Sequence, residues 1–141
     1  VYYADKTGKL TDEIQKNYFC LIDGIVGGEK NGPISCDPVY PGVLAAGFNP
    51  VAFDSVIASL MGFDIERIPI VKRAVATQSQ AKPLFFRGLE TVQVKVCGET
   101  LGITDFKAKY HLGFAPHPNW IGHVERPVEQ KPVSEGVSVG A

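Results

Sequence analysis

No sign of charge dominates this chain. Its 141 residues carry 14 Lys and Arg against 15 Asp and Glu, a net charge of -1. No run of Lys or Arg occurs, so the basic stripe that would neutralise a phosphate backbone is missing, which argues against nucleic-acid binding. Long apolar runs are missing as well. None approaches the ~20 residues that cross a bilayer, and no membrane partner is expected. Cysteine is scarce: Cys20, Cys36 and Cys97 form no C-x-x-C, and their number is odd. That argues against a disulfide scaffold and against structural zinc, and it predicts reduced thiols in a cytoplasmic compartment. The chain opens Val1-Tyr2-Tyr3, without a Met or a basic signal-peptide region, which predicts a fragment or a processed chain. The motifs of covalent hydrolases and nucleotide binders are also lacking: there is no G-x-S-x-G, no G-x-x-x-x-G-K-[ST] and no G-x-G-x-x-G.

What is present suits a folded α/β unit. Hydrophobic residues make up 45% and charged residues 21%, enough to build one core. Thr11-Asp12-Glu13 reads as the start of a short polar helix, with Thr11 as its N-cap. Tyr18-Phe19-Cys20-Leu21-Ile22 is apolar without alternation, the pattern of a strand buried on both faces. Residues 24–33 carry Gly24, Gly27, Gly28 and Gly32 and read as a long loop. A second buried strand is expected at 42–46. Asn49-Pro50 then opens a helix, Asn49 as N-cap and Pro50 in the first position. Phe53, Val56, Ile57, Leu60 and Met61 form its apolar stripe, while Ala52, Ser55, Ala58 and Ser59 make the other side small. Gly62 ends it.

Further on, Asp64 can cap a turn at 64–67, and a helix is expected from about 69 to 77, with a polar loop over 78–90. Val92, Val94 and Val96 alternate with polar residues, so 91–98 reads as a half-exposed strand closed by a turn at 97–100. From 101 to 125 no period is evident, and Phe106, Tyr110, Phe114 and Trp120 suggest a segment draped over a surface. The expected architecture is a small mixed or parallel sheet with flanking helices. It spans 1–125 as one domain, itself part of a larger one, followed by a flexible tail at 126–141.

Chemistry is expected where strands end. In open parallel sheets, ligands bind beyond the carboxyl ends of the strands. Asp23 ends one strand, the glycine loop follows it, and Asn49 opens a helix whose first N–H groups can face an anion. If the strands at 18–22 and 42–46 run parallel, Asp23, Gly27, Gly28, Glu29, Asn31, Gly32 and Asn49 share one crevice suited to a small anionic metabolite. If they run antiparallel, that crevice does not exist. The 15 residues between Val26 and Gly42 show no helical period, so the orientation stays open. Asp54 lies ~20° from Met61 on the helical wheel, at the edge of the apolar stripe. With Asp23 and Glu29 it offers hard oxygen donors, which fit Mg²⁺ or Ca²⁺ better than zinc. The plainer alternative is that these acids serve turns and caps. His111, His117 and His123 recur every six residues outside any helical pattern, which does not suit a zinc site.

The order of these segments carries a resemblance. Leu21-Ile22-Asp23-Gly24-Ile25-Val26-Gly27, Glu29 with Asn31-Gly32-Pro33, Gly42–Gly47, Asn49-Pro50-Val51-Ala52 with Asp54, and Leu60–Asp64 succeed one another as in the domain-of-unknown-function 362 family. Val96 with Gly98-Glu99, and Trp120–Glu125, look like that family's C-terminal part, so the chain resembles the C-terminal part of a member. Family members are bacterial and archaeal proteins without an agreed activity, and some carry a ferredoxin-like iron–sulfur module. The resemblance brings no catalytic residue to this chain. It has no clustered cysteines, so no iron–sulfur cluster is expected within it.

Two functional readings are open. One is an enzyme or ligand-binding part with an oxygen-rich crevice for a divalent metal or small anion, marked by Asp23 and Asp54 converging. The other is a non-catalytic domain docking on a redox partner, marked by an exposed patch around Phe114 and Trp120.

Overall fold

In the computed structural model, residues 3–11, 13–80 and 88–127 are described, with side chains omitted for 77–80. The content is mixed α and β, as expected, but the sheets are small and antiparallel. Strands β1 (Cys20–Gly24), β2 (Gly27–Asn31), β3 (Ser35–Val39) and β4 (Val43–Gly47) precede helix α1 (Pro50–Met61). Helix α2 (Pro69–Gln80), strands β5 (Gln93–Val96) and β6 (Glu99–Gly102), and helix α3 (Ile103–Lys109) come after it. Among the described residues the strands form three two-stranded ladders, β1–β4, β2–β3 and β5–β6.

The expectation of a parallel or mixed sheet is corrected by the β1–β4 register, which runs antiparallel from Cys20 opposite Gly47 to Gly24 opposite Val43. The reason lies in the segment between them. A parallel return needs a crossover of a dozen residues or more, usually a helix. Here residues 27–39 fold back as a β2–β3 hairpin instead. The glycines that read as loop are therefore strand residues, Gly27 paired with Val39 and Gly28 with Pro38. Side chains from elsewhere occupy the space they leave. A Cβ on Gly28 would stand 2.5 Å from Cys36 Sγ, and one on Gly27 would stand 3.2 Å from the Phe114 ring. Glycine weakens a strand by leaving nothing to pack, unless a neighbour uses the gap.

β1 departs from the sequence reading in a second way. Its burial alternates: Cys20, Ile22 and Gly24 are half-buried, while Leu21 is 60% exposed. Leu44 on β4 is 71% exposed beside it, and the Phe19 and Phe48 rings meet at 5.3 Å, both exposed. One face of this ribbon is open.

Helix α1 forms as its sequence dictates. The Asn49 side chain accepts the Ala52 N–H at 3.0 Å, Pro50 stands at the start, and Gly62 takes the left-handed conformation (φ 103°) at the end. Among the described residues, its small face holds the most deeply buried side chains. Ser55 and Ser59 are fully buried, and their hydroxyls donate to the Val51 and Ser55 carbonyls at 2.7 and 2.6 Å, which satisfies them without a tertiary partner. With no bulk on that side, neighbouring chain approaches closely, and Ala58 joins Ile65 and Val71 in a core cluster with Ile68, Val75 and Leu89 around it.

Asp64 caps the turn Ile65–Arg67 by accepting the Glu66 N–H at 3.0 Å, and α2 starts at Pro69. The strand expected at 91–98 is β5, but only Cys97 and Gly98 make the turn, at φ 49° and 83°. Glu99 and Thr100 already belong to β6.

Two helical expectations fail. Residues 13–19 are not helical: the Thr11 N–H and hydroxyl both point to the Tyr3 carbonyl, so the proposed cap serves a small N-terminal turn. Conversely α3 lies where no period was evident. Ile103 and Phe106 anchor it, both buried, and Phe106 meets Tyr110 at 5.3 Å. Seven residues give too few turns for a periodicity to stand out. Residues 81–87 of the expected loop and 128–141 of the expected tail lie outside the described residues.

Candidate functional site

The C-terminal end of α1 is the anchor for residues 112–126. A helix leaves its last carbonyls without partners, and they must be satisfied from outside. Here the C-terminal segment does so. Leu112 donates to the Leu60 carbonyl at 2.8 Å, Phe114 to Met61 at 2.9 Å and Arg126 to Gly62 at 3.1 Å. Asp64 N–H reaches the Val124 carbonyl at 2.7 Å, and Phe63 bridges to Glu125. The Arg126 guanidinium adds bonds to the Ser59 and Lys107 carbonyls at 3.0 and 2.8 Å. The segment with no sequence period is thus ordered by backbone pairing, a signal that side-chain patterns do not carry.

The glycine hairpin joins the same segment from the other side. Glu29, half-buried on β2, accepts the Ala115 N–H at 2.7 Å, and Lys30 N–H donates to the Ala115 carbonyl at 3.2 Å. Between hairpin and segment lies a cleft of about 310 Å³. Gly28, Glu29, Lys30 and Gly32 line one wall, Pro116, His117 and Trp120 the other, with Met61, Phe63 and Ile68 among the apolar residues beneath. The Lys30 ammonium is held by Asp37 at 2.6 Å and lies 3.9 Å from Glu29. The hydrogen bond and charge of Asp37, with a smaller contribution from Glu29, raise its pKa above the ordinary lysine value. On the opposite wall His117 Nδ1 accepts the Asn119 N–H at 3.2 Å, which places the proton of a neutral ring on Nε2. Trp120 is 47% exposed at the rim.

The residues singled out from sequence divide into two groups. Gly28, Glu29 and Gly32 meet in the cleft, and Gly27 stands behind it under the Phe114 ring. Asn31 is an exposed strand residue opposite Ser35. Asp23, Asn49 and Asp54 do not join them. The antiparallel register puts Asp23 opposite Leu44, about 10 Å along the ladder from the Cys20–Gly47 end that leads into Asn49. Asp23 accepts the Ile25 N–H at 3.3 Å in a turn, and Asn49 is spent as a helix cap. Asp54 lies close enough to Cys20 for its charge to raise that thiol, after burial, above its ordinary value. Partial burial raises Asp54 itself. The shared crevice therefore does not form. Among the described residues no group of three or more His, Cys, Asp and Glu side chains could hold a metal ion. Phe114 is half-buried against Gly27, while Trp120 is exposed at the cleft rim.

Lys30, Met61 and Phe63 were not singled out from sequence as site residues, His117 was weighed only as a zinc ligand, and Trp120 only as part of a docking patch. The available signal was weak: Pro116, His117, Pro118 and Trp120 concentrate ring-bearing residues in an aperiodic stretch.

No helix among the described residues is long and apolar enough to cross a membrane. The model of a family described as a domain of unknown function (DUF362) matches residues 4–59, which takes in β1 to β4 and most of α1. The match lies in the N-terminal region of this chain. It does not extend to 96–99 or 120–125, so the likeness to a family C-terminal part drawn from those segments is not supported. No curated protein and no solved structure matches the chain.

Proposed function

We propose that this is a small-molecule-binding domain whose ligand occupies the cleft between the β2–β3 hairpin and residues 115–124. One observation carries the reading. Glu29 and Ala115, 86 positions apart, are joined by a hydrogen bond, yet the walls they connect leave a hollow of about 310 Å³ instead of closing. Binding sites are typically concavities of ~300–1,000 Å³ with mostly apolar walls and a few convergent polar groups, and this cleft falls at the small end of that range. The family match covers the hairpin wall but not the His117 and Trp120 wall.

The chain supplies its own probe, because Trp120 is its single tryptophan. Titrating a library of small fragments while monitoring Trp120 fluorescence is expected to give a saturable change for at least one chemical class. A folded chain whose Trp120 signal responds to no fragment would remove the reading.

A further inference from the structure

Resting on that reading, we infer that the ligand is a neutral, planar heteroaromatic of one or two fused rings, stacked on Trp120, and neither a small anion nor a metal ion. Three properties of the cleft lead there.

Charge comes first. Lys30 is the one Lys or Arg among the lining residues, and it is already shared between Asp37 at 2.6 Å and Glu29 at 3.9 Å. One ammonium against two carboxylates leaves the wall at a net charge of -1. A phosphate or carboxylate entering here would meet Glu29 as well as Lys30. At contact distance near a surface each such interaction is worth roughly 1 to 4 kcal/mol, so repulsion cancels most of the attraction. A divalent cation fares no better, since Glu29 is the one carboxylate lining the cleft and Mg²⁺ or Ca²⁺ needs about six oxygens or more.

Shape comes second. Trp120 and Phe63 supply aromatic surface and Met61 a polarisable thioether, all of which favour a flat π-system over an aliphatic body of equal area. The volume admits one or two fused rings but not a dinucleotide.

The polar edge comes third. His117 Nδ1 is occupied by the Asn119 N–H, so a neutral ring at this wall offers Nε2–H as a donor. Glu29 keeps acceptor capacity beyond its bond to Ala115. A donor on one wall and an acceptor on the other match a ring nitrogen or carbonyl beside a ring N–H or amino group.

The test is a Trp120 fluorescence titration with three probes: adenosine (neutral, planar), benzoate (planar, anionic) and cyclohexanol (neutral, not planar). Adenosine is expected to quench saturably and to bind at least about tenfold more tightly than either of the others. His117→Ala, at unchanged Tm, is expected to weaken adenosine about fivefold, the loss of one hydrogen bond, with His117→Gln recovering part of it. Benzoate binding as tightly as adenosine would overturn the neutral ligand, and cyclohexanol doing so would overturn the planar one. Unchanged adenosine affinity in His117→Ala would overturn the polar edge. A response to other fragments but not to adenosine would reject the heteroaromatic and leave the cleft a binding site. No response to anything would remove both.

Discussion

Helix α1 and the β1–β4 ribbon are neighbours in the chain and similarly apolar, yet one is the best-covered element and the other lies half open. Ser55 and Ser59 on α1 are fully buried, while Leu21 and Leu44 on the ribbon are 60% and 71% exposed. Hydrophobicity does not separate them. Small side chains do: on α1 they let neighbouring chain approach closely enough to exclude water. On the ribbon, large side chains point to a face against which no described element packs. Burial here depends on which faces find a partner, and composition says little about that.

The largest effects should come from breaking the covered region. Phe106→Ala removes a ring that is 3% exposed, and cavity formation there should cost about 3 to 5 kcal/mol in denaturant unfolding. Ser59→Leu inserts bulk where no space exists and should cost at least about 1 to 3 kcal/mol. If Ser59→Leu proved neutral, the close approach at the small face would not be what holds the helix in place.

A middle-sized effect belongs to the helix start. Asn49→Ala loses the bond from the Ala52 N–H and should destabilise by about 1 kcal/mol, and Asn49→Asp should retain most of the stability. This separates the cap from a ligand role, because a residue held for an anion at the helix end would show little stability loss.

These elements also mark what was legible. Asn49-Pro50 and Gly62 bracket α1 through local backbone chemistry, so the helix and both its ends could be read directly. The β1–β4 orientation could not. It depends on whether 27–39 crosses over or folds back, and the glycines hid a hairpin whose gaps are used by Cys36 and Phe114, the latter from far along the chain. Half of the site suffered likewise. Gly28, Glu29 and Gly32 were visible in a glycine-rich stretch, but His117 and Trp120 are brought to them by the bond that Ala115 donates to Glu29 and by those that Leu112 and Phe114 donate to the last carbonyls of α1. Asp23 and Asp54 attracted notice for their chemistry, but Asp23 pairs with Leu44 toward one end of β1 while Asp54 neighbours Cys20 at the other.

Two carboxylates should respond to pH in opposite directions. Glu125 accepts the N–H groups of Gly122 and Val124, and these bonds hold its pKa below the ordinary value. A depressed carboxyl contributes stability above its unfolded pKa and loses it as pH falls through the folded one. Glu125→Gln should therefore lower the unfolding midpoint at neutral pH and converge with the parent in acid. Asp54 is raised by partial burial, so its charge opposes folding above its folded pKa and the penalty vanishes as pH falls through that value. Asp54→Asn should raise the midpoint slightly at neutral pH and leave it unchanged in acid. A loss of stability in Asp54→Asn at neutral pH would mean that the carboxylate is held by a favourable contact. Unfolding midpoints of both variants across the acid range test this.

The smallest expected effect is the sharpest probe of the open ribbon. Leu21→Ser and Leu44→Ser alter exposed side chains on a face against which no described element packs. Their unfolding free energies should stay within about 0.5 kcal/mol of the parent. Cys20 and Ile22 on the other face of the same strand are half-buried, so Ile22→Ser should cost clearly more, because it removes apolar area from an environment already partly dry. The difference between Leu21→Ser and Ile22→Ser, one residue apart, measures the asymmetry of the ribbon directly. Equal and large losses at both positions would show the outer face covered in solution, and the strand would then be buried on both sides, as its unbroken apolar run predicts.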